Sequence, residues 1–316
     1  MKKVRLGIDL GGSFIKAGII DDSYKILHRV ATPSLANRGA AYVKQNLQNA
    51  CNLLLEAAAK KGLQPVSLGI GSPGTISQPL GIVEDASPNI KEWRGTNLTA
   101  IFGKINIKIA ADNDANCAAL AEYLVGYKCR YKNIVFITVG TGIGGGLIID
   151  GRLYRGSTFA GTEIGHSVLK YNGRLCKCGR RGCLEAYTSV PNLLKRARFW
   201  ATKLNMRLKS TITPNELFKM YLKRNLVARK AIEENADYLG TALGSLVNVI
   251  NPEAVISGGG FSEAGQEYIR LIDSAIRRYA FKAAARSLKV AGARLGNDAG
   301  LIGAALLEKV KEDGSL

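Results

Sequence analysis

The sequence predicts an α/β fold of two related units with an interdomain cleft, and three observations predict it. The chain has 316 residues, enough for about two ordinary domains with sizeable cores. A grammar of strand, glycine turn, strand, polar turn and strand occurs twice along it. Helix-like segments follow each copy, so each sheet is expected to carry helices on its outside.

In chain order, residues 4–9 are a short β-branched run that ends at Asp9. Gly11-Gly12-Ser13 turns the chain into residues 15–20, and Asp21-Asp22-Ser23 turns it again into residues 24–30. Residues 40–61 read as a helix. A strand over 104–111 leads into Asp112-Asn113-Asp114 and a helix over 115–125. The same grammar then returns: strand 134–139, the turn Gly140-Thr141-Gly142-Ile143-Gly144-Gly145, strand 147–149, the turn Asp150-Gly151, and strand 152–155. Gly18-Ile19-Ile20-Asp21 even matches Leu147-Ile148-Ile149-Asp150 in local wording, as expected for a duplicated α/β unit. Helices are predicted over 191–204 and 215–244. Strand 254–256 precedes Ser257-Gly258-Gly259-Gly260 and a further helix. The expected division is a small α/β domain over 1–112, joined by a C-terminal helix from 301–316, and a large α/β domain over 113–300. Ligands are expected in the cleft between them.

Composition narrows the class. The chain is 47% hydrophobic and 22% charged with 36 Gly and 8 Pro, which excludes a collagen, a disordered tail and a disulfide miniprotein. No stretch approaches the roughly 18 uninterrupted apolar residues of a membrane span. The opening MKKVRLGIDL reaches Asp9 before a signal-peptide core of about 7–15 apolar residues is complete, so a cytoplasmic location without membrane contact is expected. The excess of 44 Lys+Arg over 25 Asp+Glu gives a net charge of +19 and favours anionic partners such as nucleotides and sugar phosphates. Between residues 191 and 230 the only acid is Glu216, against basic residues from Lys195 to Lys230. Arg277, Arg278, Lys282, Arg286, Lys289 and Arg294 form a second acid-free run. Solvated helix faces account for both, and no specific nucleic-acid partner is expected. Among the six cysteines, Cys51, Cys117 and Cys129 stand singly and read as small core residues.

Two glycine turns at matching positions offer backbone N–H groups without side-chain bulk. An ordinary tight hairpin is the alternative for either one alone. Gly11, Gly12 and the Ser13 hydroxyl suit phosphate oxygens, Asp9 at a strand end suits a hydrated Mg²⁺, and Lys16 adds positive charge. Gly140, Thr141 and Gly142 repeat the arrangement in the other half. Gly140 to Gly145 also fits G-x-G-x-x-G, but a strand follows where the dinucleotide fingerprint needs a helix. Gly258, Gly259 and Gly260 let backbone approach a nucleoside or phosphate at a helix N-terminus.

The most specific pattern is His166-x₉-Cys176-x-Cys178-Gly179-x-x-Gly182-Cys183-x-Glu185. Three thiolates and one imidazole complete a closed tetrahedral shell, which predicts structural Zn²⁺ rather than a hydrolytic centre with an open position. Three buried cysteines beside an unrelated histidine are the alternative. Asn113 or Asp114 reads either as a helix N-cap or, for Asp114, as a general base for a hydroxyl that attacks phosphorus. Glu163 and Glu185 bracket the cysteine cluster and suit a polyol; otherwise they are surface charge.

These segments together resemble the ROK family of sugar kinases and repressors (repressor, open reading frame, kinase). The likeness covers essentially the whole chain and includes Gly296-Asn297-Asp298-Ala299-Gly300 near its end. It implies an actin-like (ribonuclease H-like) two-domain ATPase fold, usually a homodimer or higher homo-oligomer, that closes on a hexose and ATP-Mg²⁺. It implies Asp114 as catalytic base, with Asn89, Asn113, Glu163, His166 and Glu185 on the sugar and His166 also on zinc. Gly74, in Gly71-Ser72-Pro73-Gly74, is implied at the sugar's edge. Ser13 stands where Thr is commoner and keeps the hydroxyl; Phe14 stands where some members have a polar residue. The activity implied is transfer of the γ-phosphoryl group of ATP to the 6-hydroxyl of glucose. N-acetylmannosamine, N-acetylglucosamine, fructose and allose are alternative acceptors. A sugar-responsive regulator is expected less, since the phosphate segment begins at Asp9 and leaves no room for a preceding helix-turn-helix module.

Overall fold

The computed structural model describes residues 1–85, 90–103, 105–260, 265–311 and 313–316. Its first half runs through β1 (Lys2–Leu10), β2 (Phe14–Ile20), β3 (Ile26–Pro33), α1 (Ala40–Lys60), β4 (Leu63–Ser72), β5 (Thr75–Ser77), β6 (Ile82–Asp85), β7 (Lys108–Asn113) and α2 (Asp114–Ala121). The second half adds β8 (Ile134–Val139), β9 (Ile143–Ile149), β10 (Arg152–Tyr154), α3 (Glu185–Thr188), α4 (Val190–Lys203), α5 (Pro214–Leu222) and α6 (Leu226–Ile250). It ends with β11 (Ala254–Gly258), α7 (Gln266–Tyr279), α8 (Lys282–Ala285), β12 (Lys289–Gly292) and α9 (Ala299–Leu306).

Two five-stranded sheets share one plan, with orders β3-β2-β1-β4-β7 and β10-β9-β8-β11-β12. In the first, β1 pairs antiparallel with β2 and parallel with β4, and β4 pairs parallel with β7. In the second, β10 and β9 are antiparallel, while β8, β11 and β12 are parallel. This repetition is what the duplicated sequence grammar predicts. The chain forms two compact units. One contains Met1–Lys132, Gly146–Thr162 and Asn297–Leu316, and the other Asn133–Gly145 and Glu163–Gly296. Residues 113–132 and 146–162 thus belong with the first unit, whereas the sequence reading begins the large domain at residue 113.

In the first unit, β1 alternates as a half-buried strand should. Val4, Leu6, Ile8 and Leu10 are all fully buried, in the same cluster as Val43, Leu47, Ala50 and Leu54 of α1. Burying each Leu, Ile or Val contributes about 1.5–3 kcal/mol. α9 lies so close to β4 that a Cβ on Gly69 would sit 1.7 Å from the Ala304 carbonyl oxygen. Only glycine permits that approach.

Two local expectations are corrected. The predicted helix over 215–244 is two helices, because Arg224 adopts a left-handed φ of 59° and Asn225 caps a new start by accepting from Ala228 N at 3.1 Å. Cys129 is not a core residue; it lies in an exposed turn with φ 56°. Among the described residues, the next helix after the third glycine run is α7, which starts at Gln266 with Gly265 as its N-cap. Gly258 closes β11, and Gly259 and Gly260 follow it at the strand's carboxyl end; residues 261–264 lie outside the described residues. Among the described residues, no helix is long and apolar enough to cross a membrane.

Candidate active site

Strand register builds a row of mostly polar residues in the first unit. Asp9 of β1 lies opposite Lys16 of β2 and Gly71 of β4, and Gly71 lies opposite Asp112 of β7. Lys16, Asp9, Gly71 and Asp112 thus form one row at the carboxyl ends of three parallel strands, where open α/β sheets bind ligands. Asp114 opens α2 just beyond the row.

Asn113 is the N-cap of α2; its Oδ1 accepts from Ala115 N at 2.9 Å and Asn116 N at 3.2 Å. Its Nδ2 donates to Gly74 O at 3.0 Å, which brings two predicted sugar-side residues together. Since Asn113 does the capping, Asp114 is freed from it. Asp114 Oδ1 accepts from Ala115 N at 2.8 Å, and Oδ2 has no partner among the described residues. Burial pushes the Asp114 carboxyl above its usual range, against the two backbone N–H groups that favour its ionised form. Burial likewise pushes Asp9 up to about 6, Asp114's charge adds to the rise, and Lys16 opposes it.

Among the described residues the Asp9 carboxylate accepts no hydrogen bond. It is packed so closely that a Cβ on Gly300 would lie 2.8 Å from its Cγ. An ionised, unpaired carboxylate at a strand end fits the hard-oxygen donor that Mg²⁺ requires. In the neighbouring turn, Gly11 N donates to Phe14 O at 3.0 Å, so this N–H closes the hairpin and is not offered to a ligand. The N–H groups of Gly12 and Ser13 have no acceptor among the described residues. Ser34 holds this turn, donating from Oγ to Gly12 O at 2.8 Å and from N to Ser13 O at 2.9 Å. Lys16 Nζ reaches Asn297 O at 3.4 Å.

In the second unit, Gly140 N closes the matching turn on Gly142 O at 3.0 Å, and Val190 N of α4 donates to Gly140 O at 2.8 Å. Glu185 docks on the same turn: Oε2 accepts from Ile143 N at 3.0 Å, and a Cβ on Gly142 would lie 2.6 Å from that oxygen. A cavity of about 570 Å³ opens beside it, floored by Gly140, Thr141 and Gly260 and walled by Val190, Leu194 and Pro214. Lys195 and Arg198 add two cations to its lining. Sequence reading placed these two only within a basic run, because their convergence on a glycine turn fifty residues away leaves no local signal. Gly259, with φ 86°, packs against Val139, and Gly258 ends β11 beside it.

His166, Cys176, Cys178 and Cys183 also converge in the second unit, their ligand atoms all within 4.8 Å of one another. Cys178 Sγ and Cys183 Sγ are 3.7 Å apart, and Cys176 Sγ is 3.9 Å from His166 Nδ1. Tetrahedral zinc with Zn–S bonds of about 2.3 Å needs sulfurs about 3.8 Å apart, so the donor set fits the ion. Burial pushes the Cys183 thiol up to about 12, with Cys178 next in effect; a bound cation reverses that preference and releases the protons. Glu185 Oε1 stands 3.8 Å from Cys176 Sγ, so one carboxylate touches both the cysteine cluster and the glycine turn. Glu163 is exposed, and its carbonyl accepts from His166 N at 3.0 Å in a single 3₁₀ turn. Asn89 lies outside the described residues.

Comparison with known proteins follows this geometry. A family model described as the ROK family matches residues 5–311. A glucokinase of Thermotoga maritima is 33% identical, over 99% of this chain and 100% of its own. A xylose repressor of Caldicellulosiruptor bescii is 31% identical, over 94% of this chain and 76% of its own. The crystal structure of a ROK family glucokinase from Streptomyces griseus in complex with glucose and AMPPNP has a TM-score of 0.83 at 30% identity, covering 96% of this chain and 98% of that one.

Proposed function

The chain belongs to the ROK family and is an ATP-dependent hexose kinase, and we propose that its acceptor is the 6-hydroxyl of glucose with Asp114 as the base. It has the actin-like two-domain ATPase fold. The observation that carries the mechanistic reading is the row of Lys16, Asp9, Gly71 and Asp112, with Asp114 next to it holding one unpartnered carboxylate oxygen.

Phosphoryl transfer asks a protein for alignment and charge stabilisation more than for covalent chemistry. A sugar hydroxyl is a poor nucleophile near neutral pH. Asp114 Oδ2 accepts its proton as the oxygen attacks the γ-phosphorus, a contribution of about 10²–10⁴-fold. In the first unit the N–H groups of Gly12 and Ser13 and the Lys16 ammonium suit phosphate oxygens; in the second, those of Thr141 and Gly142 do so, and the cavity beside Gly140 and Gly260 suits a nucleoside. Mg²⁺ at Asp9 supplies neutralisation of the β- and γ-phosphate charge when bound. Asn113 in the first unit, and Glu163, His166 and Glu185 in the second, are suited to sugar hydroxyls. Because His166 turns Nδ1 toward the cysteines, its Nε2 is the atom left for a hydroxyl. His166, Cys176, Cys178 and Cys183 would hold a structural zinc, which would fix the loop that carries Glu185.

Coupled ADP release across glucose, fructose, allose, N-acetylglucosamine and N-acetylmannosamine tests the reading, and glucose is expected to give the highest kcat/KM. A preference for an N-acetylhexosamine reassigns the acceptor; no ADP release with any of them removes the kinase reading. The xylose repressor relative supports a second reading, a sugar-responsive regulator. A salt-dependent, sequence-specific gel shift that a sugar reverses distinguishes it.

A further inference from the structure

Asp112 is 1% exposed and lies on β7, two residues before Asp114. Its Oδ1 accepts from Asn113 N at 2.7 Å and from Asn116 Nδ2 at 3.0 Å, so one oxygen braces the first turn of α2 at two points. Its Oδ2 accepts from Arg155 Nε at 2.7 Å, and Arg155 is only 6% exposed. Asn116 is gripped again from its other side: its Oδ1 accepts from Thr162 Oγ1 at 3.2 Å. Arg155 and Thr162 belong to one closed loop, since Gly161 N donates to Arg155 O at 2.8 Å. The loop therefore takes hold of the turn bearing Asp114 with both of its ends.

Neither grip is built for stability. Arg155 Nη1 is buried with no hydrogen-bond partner among the described residues, and a half-satisfied buried ion pair is a poor source of stability beside apolar packing. Thr162 holds a left-handed φ of 69°, a strained conformation for a β-branched residue. Strain of this kind gathers where geometry serves chemistry.

We propose that Arg155 and Thr162 are positioning residues that hold the first turn of α2, and with it the Asp114 carboxylate, in register for proton acceptance. The proposal rests on the reading of Asp114 as base. Thr162 is followed directly by Glu163 in the chain, so the loop that hydrogen-bonds the Asp114 turn continues in sequence into the segment of His166. Neither residue acts on substrate itself; each acts through Asp112 or Asn116.

The test uses the full chain with Arg155→Gln, Arg155→Lys, Thr162→Ala, Thr162→Ser and Asp114→Asn. It measures kcat, both KM values, glucose affinity by calorimetry without nucleotide, and the unfolding midpoint. Arg155→Gln is expected to lower kcat by about 10–100-fold, the scale of a small misplacement of a catalytic group, with glucose affinity within about threefold. Thr162→Ala is expected to lower kcat by about 3–10-fold, and Thr162→Ser, which keeps the hydroxyl, to restore it. Arg155→Lys keeps the charge and is expected to fall between Arg155→Gln and the parent. The two losses should be less than additive when combined, since both act through one turn. Full kcat in Arg155→Gln and Thr162→Ala overturns the proposal. So does a fall in kcat matched by lost glucose binding and a lowered midpoint, which marks a purely structural role. An inactive Asp114→Asn beside a normal Arg155→Gln removes this inference alone; an active Asp114→Asn removes the base reading itself.

Discussion

Replacing Asp114 by asparagine separates proton acceptance from every other property of the site. The amide keeps Oδ1, so the 2.8 Å bond from Ala115 N survives, and Asn113 still caps α2 through its own Oδ1. Only the basicity of the second oxygen is lost. General-base catalysis contributes about 10²–10⁴-fold, so kcat should fall by that factor, equal to about 2.7–5.4 kcal/mol of barrier at about 1.36 kcal/mol per tenfold. Glucose affinity without nucleotide should change little. The pH dependence has a definite sign. A base must be ionised, and burial raises the Asp114 pKa, so parental kcat should fall as pH drops through a value above the ordinary carboxylate range. Stability runs the opposite way. A carboxyl whose pKa is raised on folding contributes stability below its unfolded pKa and loses that contribution as pH rises through its folded pKa. Asp114→Asn should therefore unfold at a temperature equal to or above the parent's at pH 7, with the gap closing toward acid. Initial rates by coupled ADP release from pH 5 to 9 and thermal melts over the same range measure both. Near-normal kcat, or a marked loss of stability at pH 7, refutes the reasoning.

Cys178→Ser should lower zinc content and sugar affinity together, measured by metal analysis and calorimetry; full metal occupancy in this variant removes Cys178 from the ligand set. Gly142→Ala puts a Cβ 2.6 Å from Glu185 Oε2, and the displaced carboxylate loses its bond from Ile143 N, so kcat/KM for glucose should drop by about 10-fold or more. Asp21 accepts from Lys2 Nζ at 2.8 Å, Ser23 Oγ at 2.6 Å, and the N–H groups of Ser23 and Lys25 at 3.0 Å, and the Lys2 bond, first among these, holds its carboxyl well below the usual range. Its stability contribution is thus present above the ordinary carboxylate pKa and lost as pH falls through the folded value. Asp21→Asn should cost about 1 kcal/mol in urea unfolding at pH 7, with Lys2 half-exposed, and converge on the parent toward pH 2.

The sequence made the two glycine turns, the Asp112-Asn113-Asp114 segment and the cysteine loop legible because each carries its chemistry within about twenty contiguous residues. The N-cap ambiguity at Asn113 and Asp114 needed coordinates, since adjacent side chains compete for the same N–H groups and only geometry decides which prevails. Arg155 gave no signal: its partner Asp112 is 43 positions away, and nothing in Tyr154-Arg155-Gly156 marks a buried cation. β4 has no counterpart in the sequence reading, since Gly69 and Gly71 interrupt its apolar run; Gly69 serves the close approach of α9. The helix break at Asn225 hid for the opposite reason. Its cap is a single polar residue in an otherwise continuous helical pattern.

The contact of Ala304 with Gly69 has a consequence for synthesis on the ribosome. The segment that packs on the first unit's sheet is made after the whole of the intervening unit. A nascent chain emerging with β1, β4 and β7 in hand still lacks the apolar α9, so their packing surface stays open while the second unit emerges and folds. Such an order favours a second unit that matures alone, and it makes α9 a checkpoint: a chain cut short before residue 299 would leave that surface uncovered and exposed to chaperones and proteases.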